Sequence, residues 1–137
     1  MSIRAKSIRI VLADDHKVMR QVLSEAIQRE DNMEVVGQAE NGNEVVKLAE
    51  ELRPDIIIMD IAMPELNGIE ATRQILKNHP QIKVIALSMH ANKRFMNEML
   101  KAGAKRYLLK DCEYGEMINA IRSVMTEGDI TEAINSA

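Results

Sequence analysis

A doubly wound α/β domain is what these 137 residues predict, on three observations. Short apolar runs alternate with segments of helical period, five times along the chain. Two of the runs, Ile8 to Ala13 and Asp55 to Met59, are almost continuously apolar, as strands buried on both faces of a parallel sheet are. Asp14, Asp15, Asp60, Ser88 and Lys110 each stand at or just past the end of a run. Open α/β sheets bind ligands outside the carboxyl ends of their strands.

The elements follow in order. Ile8 to Ala13 reads as the first strand. Lys17 to Arg29 is helical, with Val18, Met19, Val22, Leu23, Ala26 and Ile27 as one apolar stripe. Asp31-Asn32 closes it, and Met33 to Ala39 is a second, more exposed strand. Asn41-Gly42 marks a turn. Glu44 to Leu52 is a helix burying Val45, Val46, Leu48, Ala49 and Leu52. Arg53-Pro54 ends it, because the residue before proline is pushed out of the α region. Asp55 to Met59 is the central strand, and Asp60 opens a loop running to Gly68. Ile69 to Lys77 is a helix stopped at His79-Pro80. Ile82 to Leu87 is the fourth strand, Lys93 to Lys101 the fourth helix and Lys105 to Leu109 the fifth strand. Glu116 to Met125 is the last helix, its first turn weakened by the neighbouring Gly115. Right-handed crossovers place helices on both faces of the sheet.

Composition narrows the function. The length fits one domain. A net charge of -3 offers no basic field for nucleic acid or anionic lipid. A single cysteine, Cys112, excludes an internal disulfide and a thiol-rich metal site and points to a reducing compartment, hence the cytoplasm. No run approaches the roughly 18 apolar residues of a membrane span. Ten methionines beside one Phe, two Tyr and no Trp imply an adaptable aliphatic core, with a partner surface as the lesser alternative.

Three acids, a hydroxyl and an ammonium gathered at the strand ends look like a magnesium-dependent phosphoryl-acceptor site. A carboxylate is a legitimate nucleophile for phosphoryl transfer. Its charge opposes attack on an anionic donor unless a cation stands beside it, and Mg²⁺ prefers oxygen ligands. Without a cation, crowded carboxylates would repel one another. His16 is an unattractive ligand for Mg²⁺ and helps to start the first helix; His79 is remote, and no histidine cluster indicates zinc.

Four ordered segments carry a family resemblance: Val11-Leu12-Ala13-Asp14-Asp15-His16; Asp55 to Pro64; Asn67-Gly68-Ile69-Glu70-Ala71; and Gly103 to Asp111. From Ile8 to Met125 the chain resembles the receiver domain of two-component response regulators, nearest the subfamily joined to a LuxR-type helix-turn-helix. The resemblance implies a flavodoxin-like sheet in the order 2-1-3-4-5. It implies that Asp60 accepts a phosphoryl group from a sensor histidine kinase or phosphotransfer protein. Asp15, Asp60 and the backbone carbonyl of Ala62 would hold Mg²⁺, with Asp14 acting through water or orienting Asp15. Lys110 and Ser88 would meet phosphoryl oxygens, and Tyr107, with Ser88, would form a switch. His90 would modulate the site from its edge.

Phosphatases of the haloacid-dehalogenase type follow a similar plan, with a second aspartate two residues beyond the acceptor. Here that residue is Ala62, which shuttles no proton, so a persisting aspartyl phosphate fits better than ester turnover. Many receivers place proline after the lysine; Asp111 stands there instead and leaves the geometry of that peptide open. Residues 1–126 are expected to form the receiver and 127–137 a helix extension or the start of a linker. The expected partners are the kinase and, on phosphorylation, a second copy of the chain. DNA would be reached only through a further C-terminal domain. The competing reading is an interaction module with the same fold that works without phosphorylation, and a single-domain regulator acting by protein binding is a third.

Overall fold

The structure, a computed structural model, describes residues 7–89 and 91–136, the last ten by backbone alone. Its elements are β1 (Ile8–Ala13), α1 (Lys17–Gln28), β2 (Met33–Ala39), α2 (Gly42–Leu52) and β3 (Ile56–Asp60). They continue as α3 (Gly68–Asn78), β4 (Lys83–Ser88), α4 (Lys93–Lys101), β5 (Arg106–Leu109) and α5 (Tyr114–Ser136). All strand pairs are parallel, in the order β2-β1-β3-β4-β5.

Strand periodicity divides the core in two. Val11, Ala13, Ile57, Met59, Val84 and Ala86 pack on one face with residues of α2, α3 and α4. Ile10, Leu12, Ile56, Ile58, Ile85 and Leu87 pack on the other with residues of α1 and α5. Successive side chains of a strand point to opposite faces, so a strand covered on both sides must be apolar throughout. Met33, Met59, Met63, Met99 and Met117 are buried, as the packing reading of the methionines requires.

Capping shifts several boundaries. Asn41 accepts from the Glu44 N–H (2.8 Å) and Asn67 from the Glu70 N–H (2.9 Å), so α2 and α3 open at Gly42 and Gly68. Asn92 likewise accepts from the Arg94 and Phe95 N–H groups at the start of α4. Such caps contribute about 1 kcal/mol each. Arg53 does end α2, but it leaves for the left-handed region (φ 46°) and not for extended backbone.

The stripe expected of α1 is only partly covered. Ile27 is fully buried, Met19 and Leu23 are half-buried, and Val18 and Val22 are 75% and 59% exposed. The six apolar positions form two i,i+4 rows, about 100° apart around the helix. The row 19-23-27 meets the sheet; the row 18-22 turns outward. Tyr114 at the start of α5 donates its hydroxyl to the Ala26 carbonyl (2.9 Å) and ties the two helices together.

Candidate functional site

Register delivers the chemistry to one edge. Ala13 pairs with Met59 and Asp60 pairs with Leu87, while Ser88 pairs with Leu109. Asp14, Asp60, Ser88 and Lys110 therefore all reach the carboxyl end of the sheet. Asp55, at the opposite end of β3, accepts instead from the Arg9 N–H (2.9 Å) and closes the far edge. Two aspartates five residues apart, one just before β3 and one ending it, thus serve opposite edges of the sheet.

Asp14 and Asp60 are buried, at 4% and 3% exposure. The Lys110 side chain enters between them, its Nζ 2.9 Å from Asp14 Oδ2 and 3.4 Å from Asp60 Oδ2. Apart from this ammonium, neither Oδ2 has a hydrogen-bond partner. The other oxygens are engaged: the His16 N–H donates to Asp14 Oδ1 (2.8 Å) and the Ala62 N–H to Asp60 Oδ1 (3.3 Å). Lys110 is itself fixed by its main-chain N–H, which donates to the Ser88 carbonyl (2.7 Å). Ser88 is buried beside them at the end of β4.

One ammonium does not neutralise two buried carboxylates. Burial, together with the charge of Asp14, pushes the Asp60 carboxyl up to about 6, against the pull of Lys110. Burial would raise Asp14 as well, but the His16 N–H and the Lys110 ammonium outweigh it and hold that carboxyl below its ordinary value. The proton prefers Asp60, and the fixed negative charge stays on Asp14.

Asp15 is exposed at the rim. Ligand atoms of Asp14, Asp15, His16 and Asp60 lie within 4.8 Å of one another. Buried carboxylate oxygens with no partner but one ammonium, facing a rim carboxylate, suit a hard divalent cation. The residues fit a metal of that class.

Tyr107 is half-buried on β5, beside a cleft of about 350 Å³ whose lining includes Met96, Leu109, Asp111 and Glu116. The Lys110-Asp111 peptide is trans. His90 lies outside the described residues.

Two positioning residues were given no role by the sequence, although Gly68 belongs to one of the four segments above. Arg20, one turn into α1, donates from its guanidinium to the Asp14 carbonyl (2.6 Å). Gly68 lies so close to the Asp60 carbonyl that a Cβ would overlap it. Its N–H donates to the Ile61 carbonyl (2.9 Å) and pins the loop that follows Asp60. Within that loop Leu66 donates to the Pro64 carbonyl (2.8 Å) across Glu65, whose φ is 67°.

Comparison with known proteins agrees with this geometry. The family model for the response regulator receiver domain matches residues 10–122. The response regulator GacA of Pseudomonas viridiflava is 42% identical over 117 residues, covering 85% of this chain and 55% of that protein. The transcriptional regulatory protein DegU of Brevibacillus brevis is 38% identical over 126 residues, covering 92% and 53%. The chain thus spans about half the length of these curated relatives. A LuxR-family response regulator from Aurantimonas sp. SI85-9A1 superposes with a TM-score of 0.85 at 32% identity, covering 89% of this chain and 87% of that one. The response regulator domain of Thermotoga maritima CheB gives 0.82 at 36% identity, covering 88% and 98%. With buried acids and a lysine meeting at the sheet edge, and this match along most of its length, the chain belongs to the response regulator receiver family, domains switched by phosphorylation.

Proposed function

We propose that Asp60 is the phosphoryl acceptor and that the aspartyl phosphate formed there sets the state of the domain. The observation that carries this is the buried Asp60 Oδ2, held 3.4 Å from the Lys110 ammonium with no other hydrogen-bond partner. A carboxylate oxygen with a single cationic partner keeps lone pairs available for attack. Lys110 neutralises charge developing on the incoming group. Ser88, one residue past the partner of Asp60 on β4, is the proposed donor to a phosphoryl oxygen.

Asp15, Asp60 and the Ala62 carbonyl are the proposed holders of Mg²⁺, with Asp14 as its second layer through water. When bound, Mg²⁺ supplies the positive charge that lets an anionic carboxylate approach an anionic donor. Ala62 has no group to deprotonate a water, so loss of the phosphoryl group is slow and the domain is no general phosphatase. The switch is read through Ser88 and Tyr107: Ser88 is drawn toward the phosphoryl group, and the Tyr107 ring moves inward.

Phosphoryl groups come from a sensor histidine kinase or phosphotransfer protein in the cytoplasm. Residues 1–126 act as the receiver, and 127–137, whose backbone continues α5 to Ser136, lead toward an output. That output is transcription, reached through a C-terminal DNA-binding domain and a phosphorylation-dependent dimer. Support for it is the kinship with transcriptional regulators about twice as long.

The test is exposure of the chain to an acyl phosphate with Mg²⁺, followed by intact mass. Addition of one phosphoryl group, absent in Asp60→Asn, is the expected result. No addition under saturating donor would instead indicate an interaction module that works without phosphorylation.

A further inference from the structure

We propose that His16 gives the acidic site a nitrogen arm, so that it takes a borderline first-row cation of the Zn²⁺ class more tightly than Mg²⁺. The inference rests on the cation site described above and concerns which metal that site selects. His16 Nδ1 lies 2.9 Å from Asp14 Oδ1, 3.3 Å from Asp15 Oδ1 and 3.1 Å from Lys110 Nζ. No tautomer suits all three neighbours. A hydrogen on Nδ1 suits the two carboxylate oxygens but opposes the ammonium; a lone pair there suits the ammonium but opposes the carboxylates.

A divalent cation bonded to Nδ1 and to those oxygens satisfies every group at once. Lys110 keeps Asp14 Oδ2, 2.9 Å away, and Asp60 Oδ2, 3.4 Å away. Ligands held about 2.0–2.2 Å from one ion lie roughly 3 Å apart, near the separations observed here. The ring also faces solvent and holds no backbone group. His16 is the N-cap residue of α1 but makes no side-chain cap hydrogen bond, and its side chain is 60% exposed.

Imidazole suits zinc, nickel and copper, whereas Mg²⁺ keeps to oxygen and retains its waters. Zinc held by Asp14, Asp15 and His16 therefore occupies carboxylates that Mg²⁺ needs, and it acts as a brake on phosphoryl uptake.

Calorimetric titration of the whole chain with Zn²⁺ and, separately, with Mg²⁺ tests the proposal, in the wild type and in His16→Ala. Zinc affinity is expected to fall at least about tenfold in His16→Ala while magnesium affinity changes less than about twofold. The ¹⁵N resonances of the His16 ring, followed in the wild type, are expected to move with Zn²⁺ and stay put with Mg²⁺; this reading needs no variant to fold. Equal losses for both metals, an unmoved ring, or zinc binding that survives His16→Ala (as at the His79–Glu50 pair) would overturn it. Failure of Asp60 to take a phosphoryl group with Mg²⁺ would sink the acceptor reading alone, since both titrations are blind to it.

Discussion

Gly68 sits directly against the main-chain carbonyl of Asp60, with the Cα of Ile61 also within reach of any Cβ added there. The neighbours are backbone, so no side chain can swing aside. In Gly68→Ala the gain in helix propensity at the start of α3, up to about 1 kcal/mol, is smaller than the cost of overlap. A net loss of about 1–3 kcal/mol in urea unfolding is expected, with slower phosphoryl uptake at Asp60. Unchanged stability would show that β3 yields.

Gly115 is the opposite case. It is the second residue of α5, and a Cβ there meets nothing within 4 Å. Gly115→Ala is expected to stabilise the domain by about 0.5–1 kcal/mol, through helix propensity and the lower entropy of the unfolded chain. A higher thermal midpoint with unaltered phosphoryl uptake checks it.

Asp60 makes the free domain pH-sensitive. Its carboxyl titrates near 6 when folded, against 3.8 for the unperturbed group. The folded state thus holds the proton more tightly, and stability falls as pH rises from about 4 through 6, then levels. Asp60→Asn has no proton to lose. It is expected to be more stable than the wild type by on the order of 2 kcal/mol at pH 7 without metal, the gap closing near pH 4. Urea unfolding at the two pH values measures this, and Mg²⁺ should narrow the gap at pH 7 by stabilising only the wild type.

Lys110 is the buried counter-charge. Lys110→Met leaves Asp14 and Asp60 facing each other without an ammonium, and breaking buried ion pairs costs roughly 3–5 kcal/mol. A loss near the lower end is expected at pH 7, because Asp60 can take up a proton. The loss should shrink at pH 5. A loss independent of pH would mean that Lys110 contributes only its alkyl chain.

Tyr107 is the proposed reporter of the switch. With a phosphoryl mimic such as beryllofluoride and Mg²⁺ at Asp60, ring resonances of Tyr107 are expected to shift toward a more buried environment. The same addition to Asp60→Asn should leave them in place. Identical spectra for free and loaded wild type would remove Tyr107 from the coupling.

Much of this was legible in residue order. Alternating apolar runs and helical stripes named every element, because burial on two faces imposes a pattern that neighbours along the chain carry by themselves. The resemblance drawn from four segments likewise placed Asp14, Asp60 and Lys110 together, and the structure brings them to one point. Other features were not legible. Val18 and Val22 have the same periodicity as Leu23 and Ile27, and only the position of α1 on the sheet decides which row is covered. The hold of Arg20 on Asp14 and the contact of Gly68 with Asp60 cross between elements and leave no local trace. His16 looked like a helix-starting residue, and its place among the acids came from the fold.

The sequence alone determined the number and kind of elements and the edge at which the acids emerge, since strand periodicity and strand ends are local. Only the tertiary structure decided which carboxyl keeps its proton, which apolar row meets water and which nitrogen faces the acids. Those depend on charge separations and on shielding from solvent between segments far apart in the chain, quantities that no stretch of residue types contains.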